Sequence, residues 1–444
     1  MKKTALVILA LLGAICASAA DYSKTLRLDY ILTGTAKESS ISLVKMKSLD
    51  GWAGRRVNMD KLLLDGNGRV ILKDAESGKV LYINSFSTLF REWQNSEEAT
   101  RVRKSFECVL LVPMPERKAE VTVELYNDRA EKVAEYTHGV DPQDILIQKA
   151  VCNYPSEYIL RSGDSSDCID IAFVGEGYTA DEAGKFFEEC RFATECILSH
   201  EPFASMKERF NFVAVAPPSQ ESGVSIPHEG IWKNTALSSH FDTFYSERYL
   251  TTLNIFDLHN ALAGVPYEHI IILANTDTYG GGGIYNSYML SSTRHKDSKP
   301  VIVHEFGHSF AGLADEYFYD DQYEQFYFSD VEPWEPNITT LVDFESKWKD
   351  MVEEEGIVTK ADQAAQKQAE REKAAKKGRP QAKDWAKEVK GYKVGLYEGA
   401  GYLSEGVYRP VPECRMKINE VPGFCPVCER AIRRLINYNT IEQD

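Results

Sequence analysis

Two of the nine histidines in this 444-residue chain stand four apart, in Val301-Ile302-Val303-His304-Glu305-Phe306-Gly307-His308-Ser309-Phe310. On a helix, residues i and i+4 lie one above the other on the same face, so His304 and His308 can offer their imidazoles to one ion. Imidazole suits Zn²⁺, and a Glu directly after the first His can reach a water held at the metal and take its proton. Glu305 occupies that position. A third ligand has to come from close by, and Asp315 and Glu316 are the candidates. On an unbroken helix Asp315 would lie about 10 Å beyond His308, at 1.5 Å of rise per residue. Gly312 removes that obstacle, because glycine readily takes the positive φ of a helix C-cap and lets the chain fold back.

Several elements must hold this segment in place. Asp297-Ser298-Lys299-Pro300 reads as a helix start, with Pro300 in the first turn, where its missing N–H costs nothing. Val301, Ile302, Val303, Phe306 and Phe310 then mark a helix set in a core. Upstream, Cys168–Val174, Phe212–Ala216 and His269–Ala274 are apolar enough for central strands. Thr179 and Glu182 form a capping box before a helix with Phe186, Phe187, Cys190, Ala193 and Ile197 at helical spacing. Strand–helix–strand order of this kind gives an α/β-like or α+β domain, expected over residues 146–444. Residues 20–145 differ: they alternate apolar and polar, as in Leu26-Arg27-Leu28-Asp29-Tyr30-Ile31-Leu32, with Asp65-Gly66-Asn67-Gly68 as a hairpin connection. This is expected to be a β-sandwich support or docking domain, without chemistry of its own. Residues 353–390 turn abruptly to Ala, Lys, Glu, Gln and Arg, which predicts a solvated helical excursion or lid.

Composition bounds the function classes. With 43% hydrophobic and 27% charged residues, the chain can bury a real core. A formal charge of −16, with no basic stretch matched to aromatic stacking positions, argues against nucleic acid as partner. Met1-Lys2-Lys3-Thr4, an apolar run from Ala5 to Cys16 and Ala17-Ser18-Ala19 read as a secretory signal peptide over residues 1–19. The run is too short for a transmembrane helix, which needs about 20 residues. Loss of Lys2 and Lys3 with it leaves 49 basic against 67 acidic side chains, a charge of −18, and predicts a secreted, periplasmic or cell-surface protein. Eight cysteines would remain, a number compatible with disulfides in an oxidising compartment. Cys414, Cys425 and Cys428, with three thiols and no neighbouring His, read as a disulfide or buried thiol cluster in preference to a zinc knuckle.

Weaker signals surround the motif. Gly280 to Gly283 lacks the Lys-Ser/Thr ending of a phosphate loop and reads as a mobile rim of a cleft, where an extended substrate could pair by strand addition. The acidic stretch from Asp315 to Asp330, including Asp320 and Asp321, matches no EF-hand spacing. Tyr317, Tyr402 and Tyr408 read mainly as packing, with an oxyanion role as the alternative.

The segment from His304 to Tyr317 resembles the active-site segment of the bacterial IgA-peptidase family of zinc metallopeptidases. Phe173-Val174-Gly175-Glu176-Gly177-Tyr178-Thr179, Thr276 to Gly283, Tyr397 to Tyr402 and Phe424-Cys425-Pro426-Val427-Cys428 resemble its other signatures. The resemblance covers nearly all of the chain after residue 19. It implies a metzincin-like catalytic domain with a mixed sheet and an active-site helix, a β-rich leading domain, and Met416 in a turn beneath the metal. The chain departs from the usual metzincin pattern in placing three residues, not two, between the second His and the Gly. The interval from Gly312 to Asp315 does fit, which puts Asp315 ahead of Glu316 as third ligand. The expected protein is a secreted zinc endopeptidase, with His304, His308 and Asp315 on Zn²⁺ and Glu305 as general base. Its substrate is a protein or peptide, with host immunoglobulin or another glycoprotein suggested by the family name. The alternatives are an exported glycoprotein-binding adhesion protein on the same scaffold, and a zinc hydrolase of a non-peptide bond.

Overall fold

The computed structural model describes residues 20–319, 326–354, 356–376 and 384–442. The expected signal segment, and Asp320 and Asp321 of the acidic stretch, lie outside the described residues. The chain is of mixed α+β type with a β-rich N-terminal domain. Strands β1 (Ala20–Gly34), β2 (Ser39–Asp50), β3 (Gly68–Asp74) and β4 (Val80–Phe86) precede a short helix, α1 (Leu89–Gln94). Strands β5 (Lys104–Pro115), β6 (Ala119–Tyr126), β7 (Lys132–Val140) and the two-residue β8 (Gln148–Lys149) follow. They form two four-stranded sheets, ordered β5-β1-β2-β8 and β4-β3-β6-β7. In β3, Gly68, Val70, Leu72 and Asp74 are buried and the residues between them half-buried, the period-2 pattern of a strand with one face on a core.

β1 breaks that pattern for a physical reason. Leu26, Leu28, Tyr30 and Leu32 fill the sandwich, yet Arg27 and Asp29 on the opposite face are buried too. The rest of the chain covers that face: Arg27 bonds Asp29 at 2.6 Å, Asn260 at 3.0 Å and the Phe256 carbonyl at 3.1 Å. A buried ion pair is sustained only when its remaining hydrogen-bonding groups find partners, and the second domain supplies them.

That second domain is built on a six-stranded mixed sheet, ordered β13-β14-β12-β10-β11-β9. Its members are β9 (Ser156–Arg161), β10 (Ile169–Glu176), β11 (Phe210–Val215), β12 (His269–Ala274), β13 (Gly281–Ile284) and β14 (Tyr288–Ser292). β10, β11, β12 and β14 run parallel, and β9 and β13 are antiparallel edges. The near-continuous apolar runs of β10 and β12 are those of strands covered on both faces. Ile171, Phe173, Ile271 and Leu273 face helices α2 (Ala183–Leu198), α4 (Ser298–Ala311) and α7 (Pro426–Thr440). Ala172, Val174, Ile270 and Ile272 face the 224–262 loops with α3 (Ile255–Ala261), in a core that continues without a break into the β domain. The capping box at Thr179 and Glu182 is present and opens a 3-10 turn that leads into α2.

The remaining elements are β15 (Ile357–Val358), α5 (Lys360–Lys376), α6 (Trp385–Glu388), β16 (Leu396–Ala400) and β17 (Leu403–Arg409). Helix α5, in the charged excursion, is largely exposed, as its composition dictates, and is anchored to the body by Gln363 on the Glu398 carbonyl at 2.9 Å. Among the described residues no helix is long and apolar enough to cross a membrane.

Candidate active site

Helix α4 carries His304, Glu305 and His308 and ends at Gly312, which has φ 59° and ψ 31°. The left-handed turn sends the chain back over the last helical turn, with the Leu313 amide on the Gly307 carbonyl at 3.2 Å. Asp315 is thereby brought beside the two imidazoles. Its Oδ1 lies 3.0 Å from His304 Nε2 and 3.2 Å from His308 Nε2, and the two Nε2 atoms are 3.0 Å apart. Both rings are oriented from behind: His304 Nδ1 donates to the Arg415 carbonyl at 3.0 Å and His308 Nδ1 to the Leu313 carbonyl at 2.5 Å. With the protons on Nδ1, both Nε2 lone pairs point at Asp315, whose Oδ1 is buried without a hydrogen-bond partner. Three electron-pair donors at this spacing could hold a metal ion between them, and two nitrogens with one carboxylate oxygen suit Zn²⁺.

The electrostatics agree. Burial works against charge on His308, yet the Asp315 carboxylate raises its proton affinity to about 9. Against its own burial, Asp315 is held far below the usual carboxylate range by the two imidazoles. The three groups together form a well for positive charge. Burial also pushes the Glu305 carboxyl above its ordinary value, with the two imidazoles opposing the rise and the Asp315 charge adding to it.

The surroundings hold this geometry. Tyr402 Oη donates to Asp315 Oδ2 at 2.5 Å, and Tyr317 stacks edge-on against Tyr402 at 5.4 Å. The oxyanion alternative for these tyrosines therefore gives way, at Tyr402, to a role in fixing Asp315; Tyr408 pairs with Thr339 in a sheet contact outside the cleft. Met416 lies under the helix: a Cβ on Gly307 would come within 2.8 Å of its Sδ. Glu316, the alternative ligand, turns the other way; it is fully buried, with Oε1 3.1 Å from Cys428 Sγ and 3.0 Å from Asn337 Nδ2.

β13 is one of the two edge strands of the six-stranded sheet and lies directly on α4. A Cβ on Gly283 would sit 2.4 Å from the Glu305 carbonyl oxygen and 2.9 Å from His308 Cβ, and one on Gly281 would sit 3.1 Å from Glu305 Cγ. Gly281, Gly282 and Gly283 thus line the cleft, as the rim expectation had it, within a thin strand whose composition lets backbone approach the histidine helix. Glu176 of the Gly175-Glu176-Gly177 signature has a structural role: buried in β10, it accepts hydrogen bonds from Thr235, Leu237 and Ser239 at 2.6–2.9 Å and ties down that loop.

The site opens into a cleft of about 1300 Å³. One wall comes from the N-terminal domain, through Leu64, Arg69, Arg91, Glu92 and Tyr126, so that domain does more than support. Glu92, hydrogen-bonded by Tyr249, feels the charges of Glu305, His308 and Asp315, and burial raises its carboxyl to about 7. No local motif announces Glu92, which sits on the short helix α1 of the β-rich domain. Among the described residues, none of the charged excursion lines the cleft, so the lid expectation finds no support in this geometry. All eight cysteines after residue 19 are free thiols, in place of the disulfides that an even count allowed.

Two helix-borne histidines and an aspartate just past the helix end that could hold a metal ion, a neighbouring buried carboxylate and an edge strand along an open cleft are the arrangement of a metallohydrolase. The sequence comparisons narrow this: residues 158–436 match the family described as IgA Peptidase M64, and residues 19–137 match the Peptidase M64 N-terminus. The chain belongs to the IgA peptidase M64 family, a family of metallopeptidases, and is a peptidase with protein substrates. No curated protein sequence matches the chain.

Proposed function

We propose that the protein is an exported zinc-dependent endopeptidase, in which His304, His308 and Asp315 hold the ion and Glu305 is the general base. The observation that carries this reading is the convergence of two Nε2 lone pairs and the unpartnered Asp315 Oδ1 within 3.0–3.2 Å at one side of the cleft. Three protein ligands leave a fourth position open, as catalytic zinc sites do. When bound, zinc polarises the scissile carbonyl and makes water a stronger nucleophile at neutral pH. Glu305 takes the proton of the attacking water and delivers it to the leaving amine. Its raised proton affinity suits both halves of that transfer. Tyr402 fixes Asp315, and the Arg415 and Leu313 carbonyls fix the two rings.

An extended peptide has a natural seat along β13 beyond Gly281, which already pairs with the chain at Tyr249, and there main-chain hydrogen bonds to an edge strand supply sequence-tolerant affinity. The N-terminal wall, with Arg69, Arg91 and Glu92, supplies side-chain discrimination. Immunoglobulin A is the substrate that the family name suggests. A charge of −18 after loss of residues 1–19 favours approach of neutral or basic segments over heavily sialylated ones.

The test is a Glu305→Ala variant of the full chain, compared with wild type for zinc content and for cleavage of a diverse peptide library read by mass spectrometry. The variant should retain its zinc and lose nearly all hydrolysis. Cleavage at the wild-type rate would overturn the mechanism, and a wild-type protein that binds glycoprotein but cleaves nothing, with or without chelator, would favour the adhesion reading.

A further inference from the structure

Behind the candidate active site lies a second group of metal-binding side chains. Cys414, Cys425 and Cys428 place their sulfurs with a Glu316 carboxylate oxygen so that all four atoms lie within 4.8 Å of one another, and all four residues are buried. Cys414 and Cys428 sulfurs are 3.9 Å apart. Two sulfurs bound to one zinc at about 2.3 Å with tetrahedral angles lie about 3.8 Å apart. Glu316 Oε1 is 3.1 Å from Cys428 Sγ, while Oε2 is buried with no partner. Among the described residues, no lysine or arginine forms an ion pair with Glu316; the nearby buried Arg409 spends its guanidinium on the Glu398, Gly399 and Pro412 carbonyls and on Gln363. A buried carboxylate among three thiols and without a cation is a costly arrangement.

We propose that Cys414, Cys425, Cys428 and Glu316 form a closed, structural Zn²⁺ site, distinct from the histidine site. Soft thiolates select zinc over calcium or magnesium, and four protein ligands without solvent access describe a structural site, not a catalytic one. The sequence offered three thiols and no fourth ligand; Glu316 completes the set from 98 positions before Cys414. The site also has a clear purpose in the architecture. Glu316 is joined to Asp315, and its amide donates to the Met416 carbonyl at 2.8 Å. Cys414 precedes Arg415, whose carbonyl orients His304, and Met416, which supports Gly307. Cys425 and Cys428 fix the start of α7. One closed site thus anchors Asp315, the support of His304 and the turn under the helix.

The inference does not rest on the peptidase reading, and the test separates the two. Full-length wild type and the double variant His304→Ala/His308→Ala are loaded with Zn²⁺, dialysed and assayed by elemental analysis, and the double variant is also loaded with Co²⁺. Expected are two zinc ions per wild-type chain, one per double variant, and an intense near-ultraviolet thiolate-to-cobalt band in the double variant. Adding Cys425→Ser to the double variant should weaken that band. A single ion in wild type that persists in the double variant would support the thiol site while removing zinc from the histidine site. A double variant without metal or band would overturn the proposal, as would a disulfide among Cys414, Cys425 and Cys428 found by mass spectrometry of the full chain.

Discussion

Replacing Gly283 by alanine should damage the enzyme through one methyl group. The added Cβ would lie 2.4 Å from the Glu305 carbonyl oxygen and 2.9 Å from His308 Cβ. Ordinary contact begins at 3.4 Å, so strand and helix must separate by about 1 Å. The first neighbour is backbone, which cannot rotate aside as a side-chain tip could. Overpacking of this kind costs about 1–3 kcal/mol of stability. A misplacement of about 1 Å costs about 100-fold in rate, equivalent to about 2.7 kcal/mol in the barrier. Gly281→Ala makes the informative companion, because its Cβ meets the Glu305 side chain at 3.1–3.2 Å and the Leu290 carbonyl of the neighbouring strand at 3.2 Å, contacts that need only a few tenths of an ångström of relief. It should preserve the zinc content and melting temperature more nearly than Gly283→Ala while still lowering kcat. Peptide hydrolysis under saturating substrate, thermal melting and elemental analysis of both variants provide the readouts. Wild-type kcat and melting temperature in Gly283→Ala would refute the claim that glycine is required for the strand to lie on the helix.

Two further outcomes follow from the shell around the site. Tyr402→Phe removes the 2.5 Å hydrogen bond to Asp315; loss of such a ligand-orienting partner should lower zinc affinity about 10- to 100-fold, measured by competition with a chromophoric chelator, and equal affinities would count against the role given to Tyr402. Glu92, raised by burial from 4.5 to about 7, favours the folded state while protonated and loses that contribution as pH rises from about 5 through 7. In chelator-treated protein, Glu92→Gln should therefore gain stability over wild type between pH 5 and 8. The full effect would be about 3 kcal/mol, reduced to about 1–2 by the screening of cleft water; parallel melting-temperature profiles across that pH range would show the assignment to be wrong.

The parts of the site legible in the sequence are those set by local geometry. His304, Glu305 and His308 share one helix, and Gly312 changes the chain's direction within a single turn, so spacing and backbone preference suffice to gather Asp315. The central strands were equally readable, since burial on both faces leaves no polar alternation. What escaped depends on long-range packing. Arg27 and Asp29 look like the wet face of a half-buried strand until α3 is placed against them. Glu92 lies 212 residues before His304 and reaches the cleft only because the two domains share a continuous core. Glu316 read as a competitor of Asp315 because adjacent residues seem to serve the same ion. In the extended chain after Gly312 they point in opposite directions, and that alternation sends one carboxylate to the imidazoles and the other to the thiols.

The two-walled cleft has a consequence for how this protein can change over time. Its proton chemistry is confined to one folded unit, while much of what a substrate would touch on the opposite side belongs to the other. Substitutions at Arg69, Arg91 or Tyr126 can therefore alter which sequences are admitted without disturbing the helix, its ligands or the turn beneath it. The same division makes the groove a joint property of both units. Because that wall belongs to the N-terminal sandwich, the groove is complete only while the two units are packed together through their shared core.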